Sequence, residues 1–214
     1  MKPTLLLLLA VCLCGCASSY HMDAAPQTMN AVSLKPQDWQ FFYGTDLEAS
    51  PSASTQGAWA FQLPDQPGAV DYLETPFQTT KTPASITITF EVDSTEAQYN
   101  GTVDPTDTNP AHFHLFFERK DDGSLSNPEY RWWCGQSGYQ LGSNDNHILT
   151  ITCPLTYDHW TDVYGQQDAA GFQDAINNVA WVGITFGGNN YYGHGVNLTA
   201  GQSQFVLINY QVNY

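Results

Sequence analysis

The side chains best suited to holding a polar, ring-shaped ligand fall on two short runs, residues 112–118 and 129–134. In the first, Phe113, Leu115 and Phe117 alternate with His112, His114, Phe116 and Glu118. In the second, Tyr130, Trp132 and Cys134 alternate with Glu129, Arg131 and Trp133. On a strand, successive side chains point to opposite faces, so one set enters the core and the other leaves it. His114, Glu118, Arg131 and Trp133 then share an outward face. Arg131 and His114 can hydrogen-bond hydroxyl groups, Glu118 can accept from them, and the indole face of Trp133 can stack on an apolar C–H surface. Stacking of this kind requires an open Trp133. The competing arrangement covers it with the N-terminal aromatics Trp39, Phe41 or Phe42.

Three further constellations compete for attention. Gly187-Gly-Asn-Asn-Tyr-Tyr-Gly-His-Gly195 displays Tyr191, Tyr192 and His194 on a glycine-rich turn, either as the rim of a site or as a packed hairpin. It lacks the lysine and the helix of a phosphate cradle. Glu91, Asp93 and Glu96 spell E-x-D-x-x-E, similar to the active-site strand of a large family of retaining β-glucanases. That chemistry needs two carboxylates on one face, and Glu91 and Asp93 satisfy it by parity. The motif reads as a strand end running into a loop over residues 97–101, and it lacks the Trp- and Gly-rich flank of that family. His112-x-His114 could offer two ligands to a metal, with Glu118 or His194 as a third, but surface histidines are the expected reading and no metal is assigned. No G-x-S-x-G or H-E-x-x-H pattern occurs. Lys120-Asp121-Asp122-Gly123 reads as a turn.

The elements that must position these groups are strands. Period-two alternation marks 59–63, 86–92, 113–117, 130–134 and 149–153, and apolar runs mark 179–186 and 205–212. Asp168 to Asn178 has helical spacing, with Phe172, Ala175, Ile176 and Val179 on one face. Residues 48–56 read as a surface loop. The pattern predicts an all-β fold: an antiparallel β-sandwich, a jelly roll, with one short helix. Trp160-Thr-Asp-Val-Tyr-Gly165, the helix ahead of Val179-Ala-Trp-Val-Gly-Ile-Thr-Phe186, and the terminal strand 204–212 together resemble the galactose-binding-like jelly rolls that include many non-catalytic carbohydrate-binding modules. The likeness spans about residues 57 to 214. It implies glycan binding without catalysis. Those domains often carry an Asp for structural calcium in the last strand; Asn209 stands here, which argues against calcium, and no cofactor is expected.

The N-terminus carries an address. Lys2, the apolar run from Leu5 to Cys12, and Leu13-Cys14-Gly15-Cys16 have the order of a secretory signal. The last four resemble the bacterial lipobox, which implies cleavage after residue 15, lipid on Cys16 and a membrane attached through that lipid. Ala17 resembles the outer-membrane sorting pattern. The expected organisation is signal 1–15, lipidated tether 16–30 and sandwich 31–214. Cys134 and Cys153 remain, and in an oxidising envelope they are expected to pair.

Charge narrows the partners. Six Lys and Arg face 21 Asp and Glu; without Lys2, five do. Nucleic acid needs a basic groove that this chain lacks. The same scarcity disfavours a polyanionic glycan and leaves a neutral one as the expected ligand. Two alternatives stand beside binding: a glycan-active hydrolase using Glu91, Asp93 and Glu96, or an envelope interaction protein without a small ligand.

Overall fold

The computed structural model describes residues 32–42, 50–63, 65, 72–101, 110–122, 127–135, 138–188 and 193–214. The strands are β1 Gln40–Phe42, β2 Ser52–Ala53, β3 Trp59–Gln62, β4 Tyr72–Pro76, β5 Ser85–Asn100, β6 Ala111–Arg119, β7 Arg131–Cys134, β8 Tyr139–Gln140, β9 Leu149–Pro154, β10 Trp160–Thr161, β11 Val179–Gly188 and β12 Asn197–Asn213. One helix, α1, covers Ala169–Asn177. The strands form a seven-stranded sheet, ordered β1-β4-β11-β6-β7-β10 with β8 also on β6, and a five-stranded sheet, ordered β2-β3-β12-β5-β9. Every pairing is antiparallel. This is the all-β antiparallel sandwich with one helix that the alternation predicts.

The core lies between the sheets. From the five-stranded sheet come Ile86, Ile88, Phe90, Val92, Phe205 and Leu207. From the seven-stranded sheet come Phe113, Leu115, Phe117, Trp132, Val182, Ile184 and Phe186. Phe90 sits at the centre, stacked on Phe205 at 5.7 Å and edge-on to Phe113 at 4.6 Å. Each such ring contributes roughly 1.5–3 kcal/mol when fully buried. Cys134 on β7 and Cys153 on β9 both point inward and are joined, so the disulfide ties one sheet to the other. Helix α1 starts where Asp168 accepts from the N–H groups of Ala170 and Gly171, satisfying donors the first turn cannot. Phe172 then packs edge-on against Trp132 and Phe117, and Arg119 bridges to Asp174 at 2.7 Å.

Several expectations need correcting. Ser52 and Ala53, within the stretch read as a loop, pair with β3. Strand β5 does not stop at residue 96 but runs to Asn100, because β12 supplies partners along its whole length with three register shifts. Glu96 takes φ 51° opposite Gly201 at φ 74°, where one of those shifts falls. Tyr130 belongs to a 3-10 turn, Pro128–Tyr130, ahead of β7. The signal, Cys16 and the tether lie outside the described residues. Asn209 pairs with Thr89 in β12. Among the described residues no group of three His, Cys, Asp or Glu could hold a metal ion, and no helix is long and apolar enough to cross a membrane.

Candidate functional site

The seven-stranded sheet has an outer face, away from the core, and its register fixes which side chains meet there. One row crosses the sheet as Gln40–Glu74–Gly183–Phe116–Trp133. On one side lies Tyr72–Thr185–His114, and on the other Trp181–Glu118–Arg131. A face meant only to be wet would be exposed. Here Glu74, Glu118 and Thr185 are completely buried, and His114, Arg131, Trp133 and Trp181 nearly so. Two glycines help to close the face. A Cβ at Gly138 would strike the His114 ring, and one at Gly193 would strike the Tyr72 hydroxyl, so these segments approach as only glycine allows. At Gly183 the strands β11 and β4 lie so close that a Cβ would meet the Leu73 carbonyl.

Burial sets the electrostatics. Loss of water pushes the Glu74 carboxyl well above its ordinary value, and the charges of Glu118 and Asp122 push the same way; a hydrogen bond from Gln40 at 3.4 Å only partly offsets them. Glu74 therefore keeps its proton to higher pH than a surface glutamate. His114 shifts in the opposite sense. Burial pulls its imidazole down to about 4, against a hydrogen bond to the Cys134 carbonyl, so the ring is neutral near pH 7. The carbonyl can only accept, so the proton of the neutral ring must sit on Nδ1. Arg131 Nε lies 2.9 Å from Asp122 Oδ2, with both side chains largely buried. Removing one member of a buried pair typically costs about 3–5 kcal/mol.

Among the described residues, two groups in these rows have no hydrogen-bond partner: the Trp133 Nε1–H and the Thr185 hydroxyl, both buried. Leaving a buried donor or acceptor unsatisfied costs about 1–3 kcal/mol each, and native proteins seldom tolerate it without a reason.

The structure thus brings His114, Glu118, Arg131 and Trp133 onto one outer face. It does not leave Trp133 open: its exposure is 4%, and Phe116 and Tyr72 flank it at 5.4 and 6.2 Å. A flat aromatic platform for stacking is corrected to an enclosed indole whose edge meets no acceptor among the described residues. Trp39 and Phe41 are not its cover, because they turn inward onto Trp59, Tyr210 and Phe61; the Phe42 ring lies outside the described residues. His194 is exposed, while Tyr191 and Tyr192 lie outside the described residues. His112 bonds the Pro110 carbonyl at 3.0 Å. Glu91 and Asp93 stand on the outer face of the other sheet, and Glu96 lies beyond them, exposed. None of the three shares the polar face.

Sequence reasoning missed Glu74, Tyr72, Asp122, Thr185 and Trp181. Glu74 sits on a five-residue strand whose alternation is too short to register. Asp122 directly follows a turn at residues 120–121, and its side chain folds back to Arg131.

No family model matches the chain, and no curated protein matches it in sequence. Among solved structures, a protein from Bacteroides thetaiotaomicron provisionally assigned as a glycoside hydrolase is similar at TM-score 0.41 and 8% identity, over 91% of this chain and 70% of that one. A likeness of that order carries no chemistry from one protein to the other.

Proposed function

We propose that the chain is a lipid-anchored protein of the bacterial envelope, sorted to the outer membrane, that engages a neutral glycan on the outer face of its seven-stranded sheet. The observation that carries this reading is the pair of orphaned groups among buried polar neighbours: Trp133 Nε1–H and Thr185 Oγ1 beside His114, Glu118 and Arg131. A sugar offers a hydroxyl for each, as donor to one and acceptor to the other. Arg131 is held in place by Asp122, and His114 by the Cys134 carbonyl, so the polar side chains are set before a ligand arrives. The near absence of basic residues favours a neutral ligand. Attachment follows from the lipobox-like segment ending at Cys16.

A broad glycan array probed with the purified protein tests this. The expected result is a hit that weakens about tenfold in Trp133→Phe, the loss of one hydrogen bond. The variant keeps an aromatic ring and removes the unsatisfied N–H, so it should melt at least as high as the natural protein. A flat array refutes the reading. So does a hit that Trp133→Phe leaves untouched.

A further inference from the structure

Trp133 is enclosed, but it stands beside the last strand of its sheet. β10 ends the strand order, and its Thr161 pairs with Trp133, so the two side chains share the outer face. The Thr161 hydroxyl is also buried and without a hydrogen-bond partner among the described residues. The Trp133 ring leans the other way, onto Phe116 of β6 and Tyr72 of β4, which leaves the step from β7 to β10 to Thr161. Around Thr161 the surface opens. Of the five large apolar side chains exposed among the described residues, three flank β10: Tyr157 at 48%, Val163 at 41% and Tyr164 at 71%. The turn that carries Tyr164 is fixed. Buried Asp162 accepts from the N–H groups of Tyr164 and Gln166, each at 2.8 Å. Gly165 takes φ 72° where a side chain would meet nothing, so the glycine serves the turn alone. The Gln167 amide donates to the Asp158 carbonyl at 2.7 Å and ties this turn to the 3-10 turn Tyr157–His159.

We infer that this edge receives a neutral oligosaccharide end-on, with one terminal unit at Trp133, the next over Thr161 and a third stacked on Tyr164. This rests on the glycan reading and gives it a direction. Exposure falls along the line, from Tyr164 in the open to half-buried Thr161 to enclosed Trp133, so one end of the chain is held and the rest leaves over β10. β7 and β10 lie about 4.8 Å apart, and Tyr164 is at most about 10 Å farther along the backbone, a line that three linked sugars cover. The Trp133 N–H donates to a hydroxyl of the first unit and the Thr161 hydroxyl bonds the second. The Tyr164 ring offers its face to the C–H side of the third. A turn already fixed loses little freedom on binding. The chemistry of the rim selects a neutral sugar over an anionic lipid surface. No Lys or Arg follows Arg131 in the sequence, Asp158 is exposed, and the remaining polar groups at the turn are the exposed amides of Gln166 and Gln167.

The test titrates the purified full chain with cellotriose, laminaritriose, xylotriose, mannotriose and maltotriose, and with the monosaccharide of each. At least one trisaccharide should bind, about tenfold more tightly than its monosaccharide. Thr161→Val and Tyr164→Ala should each weaken that trisaccharide about fivefold and leave the monosaccharide as it was. Ile148→Ala, also exposed but at the opposite end of β9 from the Pro154 carbonyl that Trp160 bonds, should change neither. Fixing the trisaccharide to a sensor through one end should preserve binding, and through the other end should abolish it. Binding through both ends overturns the end-on entry. So does a trisaccharide untouched by Thr161→Val or by Tyr164→Ala, and so do equal losses for trisaccharide and monosaccharide, which would make the two residues structural. In each of these cases the glycan reading stands if Trp133→Phe still weakens binding. Failure of all five trisaccharides to bind overturns the inference, and with a flat array the glycan reading falls as well.

Discussion

Replacing Glu74 by Gln should make the protein more stable, and by an amount that grows with pH. Glu74 is completely buried, and its carboxyl titrates well above the ordinary value of 4.5 because water is excluded and Glu118 and Asp122 lie near. In the unfolded chain the same group ionises near its ordinary value. Below that pH both states hold the proton, and the site contributes no pH dependence. Above it the unfolded state releases the proton while the folded state keeps it, so folding becomes steadily less favourable until the folded carboxyl also ionises. Each pH unit in that window removes about 1.4 kcal/mol of stability, and for a domain of this size that is about 4 °C in Tm. The glutamine side chain has nearly the same shape, can still meet Gln40, and does not titrate. Subtracting the variant's stability curve from that of the natural protein cancels every group that does not interact with Glu74, leaving Glu74 with its neighbours Glu118 and Asp122. Urea unfolding at half-unit steps from about pH 4 to 8 spans the window that opens at the ordinary glutamate value. It should give a difference near zero at the acid end. The difference should then widen in favour of the variant as pH rises, and level off where folded Glu74 ionises. A variant that is less stable at neutral pH, or a flat difference, would show that the Glu74 carboxylate is stabilised in the fold and would refute the reasoning.

Two other outcomes follow from features outside that face. The Cys134–Cys153 link closes a loop with a sequence separation of 19, so Cys134→Ala with Cys153→Ala should lose about 3 kcal/mol in denaturant unfolding, and dithiothreitol should lower the natural protein to the same level. Cys16→Ala should abolish incorporation of labelled palmitate and move the chain from the membrane pellet to the soluble fraction. Continued sedimentation with membranes would remove the lipid from the account.

Parity made much of the architecture legible. Strands β6 and β7 alternate cleanly, so His114, Glu118, Arg131 and Trp133 could be assigned to one face from the sequence alone, and Cys134 and Cys153 to the inside. Helix α1 was legible from Phe172, Ala175 and Ile176. Exposure was not legible. Parity says which way Trp133 points, but whether anything lies against it depends on segments remote in sequence, such as β4 with Tyr72. Glu74 was hidden for a related reason. In Tyr72–Pro76 only Leu73 joins the core cluster, and the run becomes a strand because β1 and β11 flank it. Asp122 reads as a turn residue in the sequence and is a site residue by its side chain, and only the position of β7 makes it the latter.

The place of β12 has a consequence for how the molecule comes into being. Residues 197–213 lie in the interior of the five-stranded sheet, with Phe205 paired to Phe61 on one side and to Val92 on the other. Neither β3 nor β5 has this neighbour until residues 197–213 have been made. Contacts so distant in sequence delay collapse, because a long loop must close before any pairing is gained. An N-terminal fragment ending before β12 would keep two unpaired strand edges and a half-covered row of phenylalanines, a species prone to self-association. Assembly of this sandwich is therefore nearly all-or-none, with β12 the strand that completes the five-stranded sheet.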